Sequence, residues 1–163
     1  MSDSQIDKIA RIAEKISAEN NRRTRQTHTI KNLLEERQQV LVSMCELAEL
    51  EAAEVPAETV IHNLRHFNQR LVDYTALGHF EIYERIIDGK ERRGNIKMVA
   101  DRVYPSISGT TQLFVDFNDK YDSEKEFKEL SSLDQDLSRL GEVLAERILQ
   151  EDKLIAVLAE GAI

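Results

Sequence analysis

The chain has 163 residues, 41% of them hydrophobic and 32% charged, with a formal net charge of −8. That balance supports one domain with a real core and excludes a disordered chain. Six glycines and two prolines are too few for the many turns of a strand-rich fold, so long helices are expected.

In chain order, Ile6, Ile9, Ile12 and Ile16 recur at helical spacing, with Ser4 placed to cap them. The polar, basic stretch AENNRRTRQTH follows. It suits either the exposed middle of one long helix or a short break, and residues 1–27 are a candidate N-terminal helical arm. Residues 28–51 read as a strong helix, with Ile30, Leu34, Leu41, Cys45 and Ala48 as its stripe and Leu33, Val40, Met44 and Leu47 widening it. Cys45 therefore reads as a small core residue. An acidic linker, Glu51 to Val55, leads to Pro56 at the next helix start, where a missing N–H costs nothing.

Residues 57–75 carry a bundle-type seam, Val60, Leu64, Phe67, Leu71 and Tyr74. Gly78 interrupts it, and helical spacing resumes at Phe80, Tyr83 and Ile87 with Ile82 and Ile86 alongside. Asp88-Gly89 and Gly94-Asn95 bracket a loop. A short helix over about 95–103 should stop before Pro105, and Thr110 or Thr111 should start another, with Leu113, Phe114, Phe117 and Tyr121 inward. Ser123 and Glu126 fit a capping box for a last helix over about 124–159. Its seam is Leu130, Leu133, Leu137, Leu140 and Leu144, continued by Ile148, Ile155 and Leu158, and Gly141 within it suggests close packing on a neighbour. The expected fold is all-α, a single domain over 1–163 built as an antiparallel four-helix bundle with additional short helices.

Charge is unevenly spread. Residues 41–60 carry five acids and no Lys or Arg, residues 116–160 carry thirteen acids against six bases, and residues 61–115 carry six acids against eight bases. Such a surface repels nucleic acid and anionic membranes and attracts basic partners, although acidity also serves solubility alone. The basic runs RRTR at 22–25 and KERR at 90–93 lack interleaved aromatics and read as solvated surface. One cysteine allows no internal disulfide and no cysteine-based zinc site, which fits a reducing cytoplasm. The polar start does not read as a signal peptide, and no window resembles a membrane span.

Catalytic signatures are missing: there is no nucleophile elbow, Walker loop or dinucleotide fingerprint. A binding protein without a cofactor is expected rather than an enzyme. His62 and His66 share a helix face, so a hemerythrin- or ferritin-like metal bundle is the alternative. The paired Glu-x-x-His motifs of ferritin-like sites do not occur, however. The segment Leu71–Ile86, LVDYTALGHFEIYERI, mixes Asp73, Tyr74, His79, Phe80, Tyr83, Glu84 and Arg85 within thirteen residues. Interfaces favour such polar-tipped aromatics beside charges, and the edge of an ordinary seam can also hold them.

The run LVDYTALGHFEIYER resembles the signature of the regulator of sigma D (Rsd/AlgQ) family of bacterial anti-sigma proteins. ERQQVLV at 36–42, DFNDKY at 116–121 and LGEVLAERILQEDKLI at 140–155 are also similar to family sequence, in the same order. The resemblance implies a helical bundle that binds the primary sigma factor of RNA polymerase, chiefly through that factor's C-terminal promoter-reading domain, a basic helix-turn-helix module. It also implies the phosphocarrier HPr as a further partner. It places Asp73 as an ionic partner for a sigma arginine. Tyr74, His79, Phe80, Tyr83 and Glu84 either line the interface or shape the helix behind it. One stretch departs: where the family commonly has Asp-Arg-Trp-Leu, this chain has Lys31, Asn32, Leu33 and Leu34.

Overall fold

The structure, a computed structural model, describes residues 3–87, 93–121 and 130–160. Every regular element among them is helical: α1 (Asp3–Ala52), α2 (Ala57–Gly78), a π-helical turn (His79–Tyr83), α3 (Glu84–Ile87), α4 (Gly94–Lys120) and α5 (Leu133–Glu160). The expected loop at Asp88-Gly89 and the Ser123–Glu126 capping box lie outside the described residues.

The polar stretch AENNRRTRQTH is the middle of one uninterrupted 50-residue helix, and Ser4 is already inside it. Its first part projects as an arm on which Ile6, Ile9, Ile12 and Ile16 are each more than half exposed. Further on, α1 packs along α2 and more lightly on α5. The face that packs is not the one its main stripe suggested. Leu33, Val40 and Leu47 are fully buried, whereas Leu34 and Ala48 are exposed and Cys45 is an exposed free thiol, not a core residue. The apolar arc of α1 is wide enough for either centre, and the position of α2 decides between them.

The turn after α1 holds Glu54 at φ 55°, a left-handed conformation that lets the chain reverse in a few residues. Pro56 then caps α2 from one position outside the helix. Val60, Leu64, Phe67, Leu71 and Tyr74 are buried as their seam predicts. Asn68 is also buried, its amide donating to the carbonyl of Tyr121 at 3.0 Å, which ties α2 to the end of α4.

Pro105 does not divide the chain. One helix runs from Gly94 to Lys120 with the proline inside it. The ring is exposed, and Val103 and Ile107 are buried on either side. The hydrogen bond a proline cannot make is thus lost on the solvent side, where water satisfies the orphaned carbonyl, and core packing holds both halves in line. Thr110 and Thr111 are interior residues whose hydroxyls donate back to the Ile107 carbonyl at 2.7 and 3.2 Å, not helix starts.

Leu130–Ser132 is a turn, and α5 begins at Leu133, later than the expected start near 124. Leu133, Leu137, Leu140, Leu144, Leu154 and Leu158 are buried, and α5 packs chiefly on α4. Where α4 ends, Lys120 pairs with Asp136 at 2.7 Å. The hydroxyl of Tyr121 also donates to Asp136.

Gly141 faces Met44 of α1, and a β-carbon built there would meet the Met44 sulfur at 3.8 Å, an ordinary contact. A methyl group therefore fits, and the glycine only adds disorder to the unfolded chain and weakens the helix. Gly141→Ala should stabilise the protein by about 0.5–1 kcal/mol in urea denaturation. A loss of stability would mean that α1 and α5 approach more closely than this packing allows.

A candidate partner-binding surface

Three charged residues occupy positions that a leucine seam would normally fill. On α5 the inward steps run Leu140, Leu144, Arg147, Glu151, Leu154, Leu158, and on α1 they run Leu33, Arg37, Val40. Arg147 and Glu151 are each 1% exposed. Burying such charges is expensive unless their hydrogen bonds are made. Here the partners come from four elements. Tyr74 of α2 donates to one Glu151 oxygen at 2.7 Å, and Tyr83 of the π turn donates to the other at 2.6 Å. Arg37 reaches Glu151 at 3.4 Å and Asp152 at 2.7 Å. Arg147 lies 3.8 Å from Glu151 and donates to the Thr110 and Thr111 hydroxyls of α4 at 3.1 and 2.8 Å and to the Ile107 carbonyl at 3.3 Å. Its guanidinium also faces the rings of Phe114 and Tyr74, at 5.3 and 5.4 Å.

This cluster determines what happens after Gly78. The Glu84 amide donates to the His79 carbonyl five residues back, one residue more than an α-helix allows. Residues five apart stack in such a turn, and the Tyr83 ring lies over Gly78. A β-carbon at Gly78 would sit 3.0 Å from the Tyr83 ring, 3.6 Å from Leu33 and 3.8 Å from Arg147. The extra residue rotates Ile82 and Tyr83 inward and leaves Phe80 outside, 61% exposed. Leu33, one of the departures from family sequence, is a core residue beneath this turn, while Lys31 beside it is exposed.

The six residues singled out from sequence thus divide. Asp73, His79, Phe80 and Glu84 are exposed. Tyr74 and Tyr83 are buried behind these four, with both hydroxyls on Glu151. Asp73 accepts a hydrogen bond from Gln69 at 2.9 Å, and the His79 ring meets Phe80 edge-on at 4.9 Å. Phe80 stands between two depressions. One, of about 350 Å³, is an apolar groove between α2 and α4 lined by Leu71, Val72, Thr75, Phe114 and Val115, among others. The other, of about 330 Å³, is lined by Asp73 together with Glu36 and Glu81. An exposed aromatic ring with an apolar groove on one side and three carboxylates on the other can hold a basic, amphipathic element. Arg37, Arg147 and Glu151 escaped the sequence reading. Their one signal was a charge at a core step of an otherwise apolar seam.

His62 and His66 are exposed on α2 with ring centroids 4.7 Å apart. Among the described residues no group of three or more His, Cys, Asp or Glu side chains could hold a metal, so nothing there completes a ligand set around this pair. No helix among the described residues is long and apolar enough to cross a membrane.

The described elements are all helical, and they present an exposed aromatic ring bordered by carboxylates. Residues 12–159 match the family described as regulator of RNA polymerase sigma(70) subunit, Rsd/AlgQ, and the chain belongs to that family. Relatives named "Regulator of sigma D" include one from Yersinia enterocolitica, 39% identical over 99 residues, covering 60% of this chain and 59% of the relative. One from an Enterobacter species is 44% identical over 103 residues, covering 58% and 57%. One from Escherichia coli is 36% identical over 106 residues, covering 61% and 63%. The match spans about three-fifths of each relative's length.

Two measurements test the supporting cluster. Gly78→Ala should destabilise the protein by about 1–3 kcal/mol, because the Tyr83 ring cannot retreat without leaving Glu151. Burial, reinforced by the Glu151 charge, pushes the Tyr74 and Tyr83 phenols well above their ordinary 10.0. Below that pH both phenols are neutral in both states. Above it the unfolded chain releases protons that the folded chain retains, so stability falls as pH rises, by up to about 1.4 kcal/mol per pH unit for each tyrosine. Urea midpoints between pH 9 and 11 should drop more steeply for wild type than for Tyr83→Phe, as order-of-magnitude linkage requires. Equal slopes would remove Tyr83 from the buried cluster.

Proposed function

We propose that this protein is an anti-sigma factor, binding the primary sigma factor of RNA polymerase mainly through that factor's C-terminal promoter-reading domain and so regulating sigma usage. The observation that carries the reading is the exposed Phe80, set by the π turn between an apolar groove and the acids Asp73, Glu36 and Glu81, in a chain of the Rsd/AlgQ family. Relatives bear the name regulator of sigma D. A helix-turn-helix module presents basic residues that would otherwise meet DNA, and an acidic surface competes for that same face. In this reading Asp73 pairs with an arginine of sigma, Phe80 enters an apolar patch beside it, and His79 and Glu84 sit at the rim.

The same proposal takes the four long helices as an antiparallel bundle. Lys120 meets Asp136 while Ile107, earlier on α4, meets Arg147, later on α5, which supports opposite directions for that pair. Such a bundle offers α2 and α4 side by side as the docking face.

Calorimetric titration with the isolated sigma C-terminal domain is the direct test. Asp73→Arg and Phe80→Ala should each weaken binding by about 2–4 kcal/mol while leaving the melting temperature close to wild type, since both side chains are exposed. Affinity should also fall as salt is raised. An undetectable wild-type complex at micromolar concentration, or wild-type affinity in both variants, would sink the proposal.

A further inference from the structure

We infer that a cleft between α1, α3 and the start of α4 binds a small phosphoryl anion, held by Arg22, Arg85 and Arg93. One residue from each of the two basic runs that looked like separate solvated surface in the sequence meets the other here. Arg22 comes from the first run and Arg93 from the second, and both line one cleft of about 70 Å³ together with Arg85. Arg93 donates to the side-chain oxygen of Gln26 on α1 at 3.1 Å, which fixes its guanidinium against the cleft and leaves the Gln26 NH₂ group as a further donor. Ile82, Ile86 and Leu158, all buried, supply an apolar lining that restricts water and strengthens charge interactions.

The cleft's electrostatics call for an anion. Neither Arg22 nor Arg85 has a carboxylate within ion-pair distance among the described residues. Among the described residues that line the cleft, Arg22 and Arg85 face one carboxylate, Glu81, in a protein whose net charge is −8, and Arg93 adds a third guanidinium held on Gln26. A carboxylate ligand is satisfied by a single arginine fork, whereas converging forks suit the several oxygens and higher charge of a phosphoryl group. Glu81 and the acidic surface beyond it would repel an extended polyanion, which favours a small ligand over nucleic acid. The inference does not depend on the sigma-binding reading, whose tests use Asp73 and Phe80.

The test is calorimetric titration of the full chain with inorganic phosphate, pyrophosphate and tripolyphosphate at fixed ionic strength, with citrate as a carboxylate control. One anion per chain should bind saturably at submillimolar concentration, with pyrophosphate tighter than citrate. Arg22→Gln and Arg85→Gln should each weaken it by about tenfold or more, the loss expected for a charge-assisted hydrogen bond. Arg102→Gln, a change of equal charge on the exposed face of α4, should leave it unaltered. Because Arg22 is exposed and Arg85 only half-buried, these variants should keep wild-type helicity and melting temperature without ligand. Absence of saturable binding at millimolar anion, equal affinity for citrate, or equal weakening by Arg102→Gln would each overturn the assignment.

Discussion

Arg147 and Glu151 lie one turn apart on α5, in the middle of an apolar seam, and both are withdrawn from water. Two such charges can stay buried only if the surrounding chain supplies their hydrogen bonds, and this requirement reaches into every long helix. Tyr74 and Tyr83 must point inward to saturate the carboxylate. Thr110, Thr111 and the Ile107 carbonyl must face the guanidinium, and Arg37 must come in from α1. Apolar contacts alone tolerate sliding and rotation of one helix on another. A buried cluster with this many directional bonds has one geometry, so it sets the register between elements that the leucines merely hold together.

The candidate surface follows from that register. Tyr83 can reach Glu151 only if the helix after Gly78 gains a residue, and the π turn supplies it. The gain draws Tyr83 over the bare α-carbon of Gly78 and puts Phe80 on the outside. An exposed phenylalanine is unfavourable in water and is held here by a polar cluster that its own position does not touch. The candidate surface and the buried charges are therefore two sides of one short segment, with Asp73, His79, Phe80 and Glu84 outward and Tyr74 and Tyr83 inward.

Charge is segregated on a larger scale as well. Acids border the Phe80 ring on one side of the π turn, and arginines gather in the cleft that shares Glu81 with that border. Under the two proposals made above, an acidic surface and a basic cleft so close together would address a basic macromolecule and a small anion through different faces. Their separation is kept by helix geometry: Phe80 and Glu81 are neighbours in sequence but point about 100° apart.

What the sequence determined by itself is local. Scarce turn residues and seams at steps of three and four dictate an all-helical chain, the inward face of α2 and of α5 as far as Leu144, and the exposed character of much of its charge; beyond Leu144, Arg147, Glu151 and Leu154 are buried in place of the expected Ile148 and Ile155. The ordered motifs from ERQQVLV to LGEVLAERILQEDKLI marked the family. What only tertiary structure decided are matters of neighbours. The wide arc of α1 could turn Cys45 or Leu47 inward until α2 packed on it. Pro105 breaks a helix in isolation, yet core contacts on both sides carry α4 through it. Nothing local told Tyr74 from Phe80, because both are aromatic residues on a seam; Glu151, 77 residues beyond Tyr74, takes its hydroxyl and has no use for a phenyl ring. Arg22 and Arg93 line one cleft only because the start of α4 reaches α1, where Arg93 donates to Gln26. Periodicity reports which residues share a face of one helix. Which face becomes core, and which distant side chains meet, depends on contacts whose partners are far apart in the chain.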